Sequence, residues 1–114
     1  MNELKVLQNS EFGELGVLII DGKEFLPASQ CAKILGYTNP RDAIKRHCKS
    51  EGVVKHDGVS YTTNQHGVTS QQITEIKYIS EGNLYRLIIR SKLPSAEKFE
   101  RWVFDEVLLE LRKN

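Results

Sequence analysis

Apolar and polar positions change period several times along the chain, and each change marks an element. From Gly16 to Leu26 the run Val17-Leu18-Ile19-Ile20 reads as a strand, Asp21-Gly22 is a two-residue turn signal, and Glu24-Phe25-Leu26 returns, which predicts a hairpin. Pro27-Ala28-Ser29 breaks the strand. Ser29 is the expected N-cap of a short helix carrying Cys31, Ala32, Ile34 and Leu35 and stopped by Gly36. Asn39-Pro40 opens a second helix, with Asn39 as cap and Pro40 in the first position, where a missing N–H costs nothing. At about 100° per residue, Ala43, Ile44, His47 and Cys48 gather on one side of this helix, and Arg41, Lys45, Arg46 and Lys49 on the other.

Between Gly52 and Gln72 the chain turns polar. His56-Asp57-Gly58 predicts a turn between two short extended pieces, followed by a mobile loop rich in Gly, Thr, Ser and Gln. Thr74 to Ile79 alternates through Ile76, Tyr78 and Ile79 as a returning strand. Ser80 or Asn83 caps a third helix with Leu84, Leu87 and Ile88 inward, and Pro94-Ser95 separates it from a long last helix over about Ala96 to Arg112. There Ala96, Phe99, Val103, Val107 and Leu111 form one stripe, widened by Phe104 and Leu108, while Trp102 and Leu109 lie about 120° to one side. That flank implies either contact with the early hairpin or the polar middle region, or a subunit interface. The elements add up to an α+β fold, a small antiparallel β-sheet (N-terminal hairpin plus middle strands) packed against three to four helices. Pro27 to Lys49 forms a helix-turn-helix-like unit within it.

A length of 114 residues suits one domain over 1–114, and 39% hydrophobic with 27% charged residues excludes wholesale disorder. Apolar runs such as Val17 to Ile20 are far below the roughly 20 residues that span a bilayer, and the N-terminus lacks a signal-peptide layout. An intracellular protein with no membrane partner is expected. Cys31 and Cys48 show neither Cys-x-x-Cys spacing nor a companion histidine pattern, so both read as reduced core thiols.

Enzyme signatures are missing: no nucleophile elbow, no phosphate-cradling glycine loop, no His-Glu-x-x-His and no paired-carboxylate motif. No catalysis, cofactor, metal or small-molecule substrate is expected. His56 and His66, near Asp57 and Tyr61, read as ordinary solvated residues, and His47 as a core residue. Net charge is only +1, but it is unevenly spread. Arg41 to Lys49 holds four basic residues against one acid, and Arg86 to Arg101 five against two. Each cluster is either a solvated helix face or a row of cations able to meet phosphates, and Asn39 and Arg41 near the helix start would lie nearest a base edge.

Several stretches together resemble a known family. Lys23-Glu24-Phe25-Leu26-Pro27-Ala28, then Ala32-Lys33-Ile34-Leu35-Gly36-Tyr37 with Asn39-Pro40, is similar to the opening of the BRO N-terminal domain. Ile79 to Leu108 resembles its hallmark, Ser-Glu-x-x-Leu-Tyr-x-Leu followed by Ser-x-Leu-Pro-x-Ala-x-x-Phe-x-x-Trp-Val. Leu109 stands where relatives usually carry a proline. The resemblance, of phage antirepressor type, implies occurrence in phages, prophages and large DNA viruses. It also implies double-stranded DNA binding in the cytoplasm of a bacterial host, and commonly a separate C-terminal domain that engages repressors. That C-terminal antirepressor domain is expected to be absent or removed here. The resemblance gives structural roles to Leu35, Gly36, Tyr37, Leu84, Tyr85, Leu87, Ser91, Leu93, Pro94, Ala96, Phe99, Trp102 and Val103.

The resulting expectation is a DNA-binding transcriptional regulator and homodimer, with Asn39, Arg41, Lys45, Arg46, Lys49, Arg86, Arg90 and Lys92 on the DNA and Trp102 and Leu109 at an interface. The DNA contacts rest on charge placement. The alternative is a protein-interaction module that binds a phage repressor or self-associates without contacting DNA.

Overall fold

Asp21 and Gly22 adopt φ of 50° and 80°, the paired left-handed turn that an Asp-Gly hairpin requires, and join strands β2 (Gly13–Ile20) and β3 (Lys23–Pro27). The computed structural model that gives this geometry describes residues 2–112, and the side chains of these except at residues 2, 58–62 and 72. A strand that the sequence pattern did not announce, β1 (Asn2–Asn9), pairs with β2 from Asn2↔Ile20 to Asn9↔Gly13. The turn between them is set by Asn9, whose Oδ1 accepts from the backbone N–H of Glu11 at 2.7 Å and of Phe12 at 3.0 Å.

The middle region differs most from expectation. His56-Asp57-Gly58 lies inside β4 (Val53–Thr63) instead of at a turn. The supposed loop belongs to β4 and β5 (Thr69–Ser80), paired without interruption from Val53↔Ile79 to Thr63↔Thr69. The turn falls at Asn64, whose Oδ1 accepts from His66 N–H and Val68 N–H, with Gly67 at φ 79°. Asp57-Gly58 makes no turn because it has cross-strand partners, Glu75 and Thr74, that a turn there would deny it. All five strands form one antiparallel sheet in the order β1-β2-β3-β5-β4.

Four helices and a 3-10 turn at Ser50–Gly52 complete the described elements: the helices are α1 (Ala28–Ile34), α2 (Pro40–His47), α3 (Glu81–Ile89) and a last helix in three continuous parts. Pro27, not Ser29, precedes α1, and no side chain caps it. Asn39 caps α2 through Oδ1, accepting from Asp42 N–H at 3.2 Å, and Ser80 caps α3 by accepting from Asn83 N–H at 3.3 Å. The last helix runs as α4 (Ser95–Arg101), a π-helical stretch over Trp102–Val107, and α5 (Leu108–Arg112). The helices cover the sheet face bearing Leu15, Val17, Leu26 and Ile79, and these residues join Leu84, Leu87, Phe99, Val103 and Leu108 in one core.

The π stretch resolves the crowded flank of that helix. A π turn holds about one more residue than an α turn, so every later position is rotated back by roughly 100°. Val107 and Leu108 thereby return to the core alongside Trp102, while Leu109 is carried away from it. Trp102 is 7% exposed, with its ring 5.8 Å from Phe12 and 6.1 Å from Phe99, whereas Leu109 is 56% exposed. The expected Trp102/Leu109 interface is therefore corrected: the chain's own first turn covers Trp102, and of the pair only Leu109 remains on the surface.

Candidate nucleic-acid interface

Two contacts hold α1 and its turn against α3. Tyr37 Oη donates to the Leu87 carbonyl at 2.7 Å, and Ser91 Oγ donates to the Leu35 carbonyl at 2.7 Å. Gly36 sits between them at φ 87°, and a Cβ there would lie 2.5 Å from Leu93 Cδ1. The other end of α2 is pinned by Asn83, a buried polar residue at the start of α3. Its Oδ1 accepts from Lys49 N–H at 2.9 Å and from Arg86 at 3.0 Å, and its Nδ2 donates to the Lys49 carbonyl at 2.9 Å. With both ends fixed, α2 packs on α1 and α3 and lies beside the root of the β4–β5 ribbon.

Side chains two apart on a strand share a face, so Lys55 and Lys77, direct cross-strand partners, stand on the same face as Val53 and Ile79, one step outward. Ile79 is buried beneath the helices. One step on, the ribbon runs past the helical layer, and a groove of about 580 Å³ opens between it and α2. Ile44, Cys48 and Val53 line it together with Arg41, Lys45, Lys55 and Lys77. A neighbouring groove of about 560 Å³ shares Arg41 and Lys77 and adds Lys33 and Glu75.

The four groove cations are all exposed. Lys55 meets Glu75 at 3.7 Å, and among the described residues no carboxylate is paired with Arg41, Lys45 or Lys77. Two lysines directly opposite on a ladder repel, so this pairing works against the free ribbon. The next pair on the same face, Asp57↔Glu75, is acidic and bounds the basic patch. Burial keeps both thiols protonated. Burial drives Cys31 far above the ordinary thiol range, and it also raises Cys48 although the nearby Arg86 charge opposes it. Both are free cysteines.

Of the DNA contacts expected from sequence, only Arg41 and Lys45 reach this groove. Asn39 is exposed, but its Oδ1 is engaged as the α2 cap. Arg46 lies roughly 140° around α2 from Arg41 and pairs with Asp42 at 3.3 Å. Lys49 is exposed while its backbone is held by Asn83, and Arg86, half-buried, spends a guanidinium N–H on the same Asn83. Arg90 and Lys92 are exposed at the end of α3, where the Arg90 charge partly offsets the burial that raises Tyr37. These three cations of α3 and its end do not line the groove.

Lys55, Lys77 and Lys33 were missed by sequence reasoning. The available signal was the alternation of Thr74 to Ile79 continued into β4, which places the two lysines opposite one another only once the register is known. His56 and His66 are separated along the ribbon, His56 at its root with its ring 6.5 Å from Tyr78 and His66 in the terminal turn, so they form no common site. The side chain of Tyr61 lies outside the described residues. Among the described residues no group of three His, Cys, Asp or Glu is placed to hold a metal ion, and no helix is long and apolar enough to cross a membrane.

Comparison with known proteins gives a consistent picture. The family model described as the BRO family, N-terminal domain, matches residues 14–109. A Haemophilus influenzae (strain Rd) protein of uncharacterised function is 44% identical over 105 residues, covering 90% of this chain and 48% of that protein. A putative Bro-N domain-containing protein of Invertebrate iridescent virus 6 is 33% identical over 103 residues, covering 82% of this chain and 24% of the viral protein. The chain thus spans about half or less of these relatives. No solved structure matches. Strand β1 precedes the matched span.

Proposed function

The chain belongs to the BRO family as an N-terminal-type domain, and from that premise we propose that it binds double-stranded DNA through the groove between α2 and the β4–β5 ribbon. The observation that carries this reading is the convergence of Arg41 and Lys45 from a helix with Lys55 and Lys77 from a ribbon on one exposed groove. A facing pair of lysines costs the free protein repulsion that a polyanion relieves. No step of covalent chemistry is part of the reading. We assign the domain a role in phage or prophage transcription regulation of the antirepressor type, as a cytoplasmic homodimer.

The test is fluorescence anisotropy of a labelled mixed-sequence duplex across a salt series. Four phosphate contacts give a slope of log K against log salt of about −3.6, and Arg41→Ala with Lys45→Ala removes about 1.8 of it. A wild-type affinity independent of salt sinks the proposal. A repressor-binding module is the second reading, favoured by a groove that Tyr85 and Phe104 line with Glu81, Glu100 and Asp105, and by the exposed Leu109. Salt-insensitive co-purification with a repressor, without duplex binding, supports that alternative.

A further inference from the structure

Beyond Asp57 and Glu75 the ribbon has no other strand beside it. Strand β5 pairs with β3 only at Tyr78, Ile79 and Ser80, and Asp57, Glu75 and Ile76 still share grooves with α1, α2 or the early strands, so the free arm starts outward of these. From Asp57 to Thr63, at about 3.3 Å per residue, this arm reaches roughly 20 Å. Its composition is unusual for an exposed ribbon: between Asp57 and Glu75 the sequence holds no Asp, Glu, Lys or Arg. Open strand edges are normally guarded by charges, proline or a covering element. The arm instead carries Thr63, Gln65, His66, Thr69, Ser70 and Gln71, all exposed, with Ile73 76% exposed. The tip is ordered by the Asn64 side chain, and Thr63 and Thr69 hydroxyls meet at 3.0 Å behind it.

We propose that this arm is the sequence-reading element, entering the major groove of a duplex whose phosphates are held by Arg41, Lys45, Lys55 and Lys77. The inference rests on the duplex reading above and assigns a separate task within it. Phosphate contacts position a protein, whereas sequence is read at base edges, by Arg and Lys at guanine, Asn and Gln at adenine, Ser and Thr at either, and by apolar contact with thymine methyl groups. The arm holds the uncharged members of that set and no cation to anchor it on phosphate by charge. A major groove about 12 Å wide accepts a two-stranded ribbon without deformation, whereas a minor groove about 6 Å wide takes one only when the duplex is bent or widened. The cations stand at the arm's root, where the duplex rim would meet them.

The experiment selects duplexes from a random 20-base-pair pool with the full chain, then measures affinity for the enriched sequence and a scrambled one. One variant replaces residues 60–72 by Asn-Gly, closing the ladder at Val59↔Ile73. A second, Gln65→Ala with His66→Ala and Gln71→Ala, leaves the backbone in place and carries the test if the first does not fold by circular dichroism. Expected is a wild-type preference of tenfold or more that falls toward unity in either folded variant, with the salt slope unchanged. A folded variant that keeps the wild-type preference overturns the arm's role. So does a wild type that binds duplex without preference, which leaves the groove reading standing. A wild type that binds no duplex overturns both.

Discussion

Lys77→Gln separates the groove's electrostatics from the stability of the fold. Lys77 is exposed, faces Lys55 across the ladder, and has no paired carboxylate among the described residues. The change removes one phosphate contact and no buried apolar contact. With about 0.9 counterions released per contact, one contact fewer lowers affinity by about fivefold at 0.15 M salt and about fifteenfold at 0.05 M, and by almost nothing near 1 M. Stability moves the other way or not at all, because relief of a like-charged cross-strand pair is worth a few tenths of a kcal/mol. Glu75→Gln is the matched control: it frees Lys55 from its 3.7 Å partner and removes an acid from the rim, so affinity rises while the neutral shape is kept. Anisotropy titrations at three salt concentrations and a thermal melt check both variants. A Lys77→Gln loss of equal size at every salt concentration, or a melting temperature lowered by several degrees, refutes the assignment of Lys77 to phosphate.

Three further outcomes test the scaffold. Asn83→Leu leaves the Lys49 N–H and carbonyl without their side-chain partner, and a loss of about 2–4 kcal/mol is expected in urea melts; a loss below about 0.5 kcal/mol contradicts the pinning of α2. Gly36→Ala forces a left-handed backbone on a residue with a Cβ and displaces Leu93, so about 1–2 kcal/mol is lost in the same melts, and an unchanged stability contradicts the fit of Gly36 against Leu93. Burial raises the folded Cys31 pKa above its unfolded value, so the contribution is complete below the unfolded thiol's pKa near 8.5 and is lost as pH rises beyond it. Between pH 9 and 11 wild-type stability should fall more steeply than that of Cys31→Ala, by about 1.4 kcal/mol per pH unit, and equal slopes contradict the assignment.

What could be read from sequence tracks how strongly local chemistry constrains the backbone. Asp21-Gly22, Asn39-Pro40 and Gly36 each have few conformational options, and each adopts the expected one. The long last helix is equally legible from its stripe. Its π stretch is not, since only the demand that Trp102, Val107 and Leu108 share one core reveals it, and that demand depends on Phe12 arriving from the opposite end of the chain. Strand β1 escaped because Leu4 and Val6 stay exposed, leaving Leu7 as its one side chain packed against the core. The β4–β5 arm escaped because polar Thr, Ser and Gln residues carry no burial period, and without one an Asp-Gly pair outweighs a strand that has no hydrophobic face to show.

The same reasoning explains how a nearly neutral chain can carry a locally basic groove. Counting charges along helices found Arg41 to Lys49 but spread the site over both sides of α2 and onto α3, because a helical count ignores what lies across the groove. Register corrects this. The Lys55↔Lys77 pairing joins residues 22 positions apart in sequence, and the packing of Ile44 places Arg41 and Lys45 opposite them. Some of the acids lie elsewhere: Glu81, Glu100 and Asp105 line the groove beside Tyr85 and Phe104 together with Arg101, and Glu81 is also paired with Arg112 at 2.5 Å. A net charge of +1 therefore conceals a local excess of cations in the groove between α2 and the ribbon. On the proposed reading the basic groove would orient a duplex toward α2 and the ribbon, and a repressor docking beside Tyr85 and Phe104 would use a different groove, so the two need not compete for the same surface.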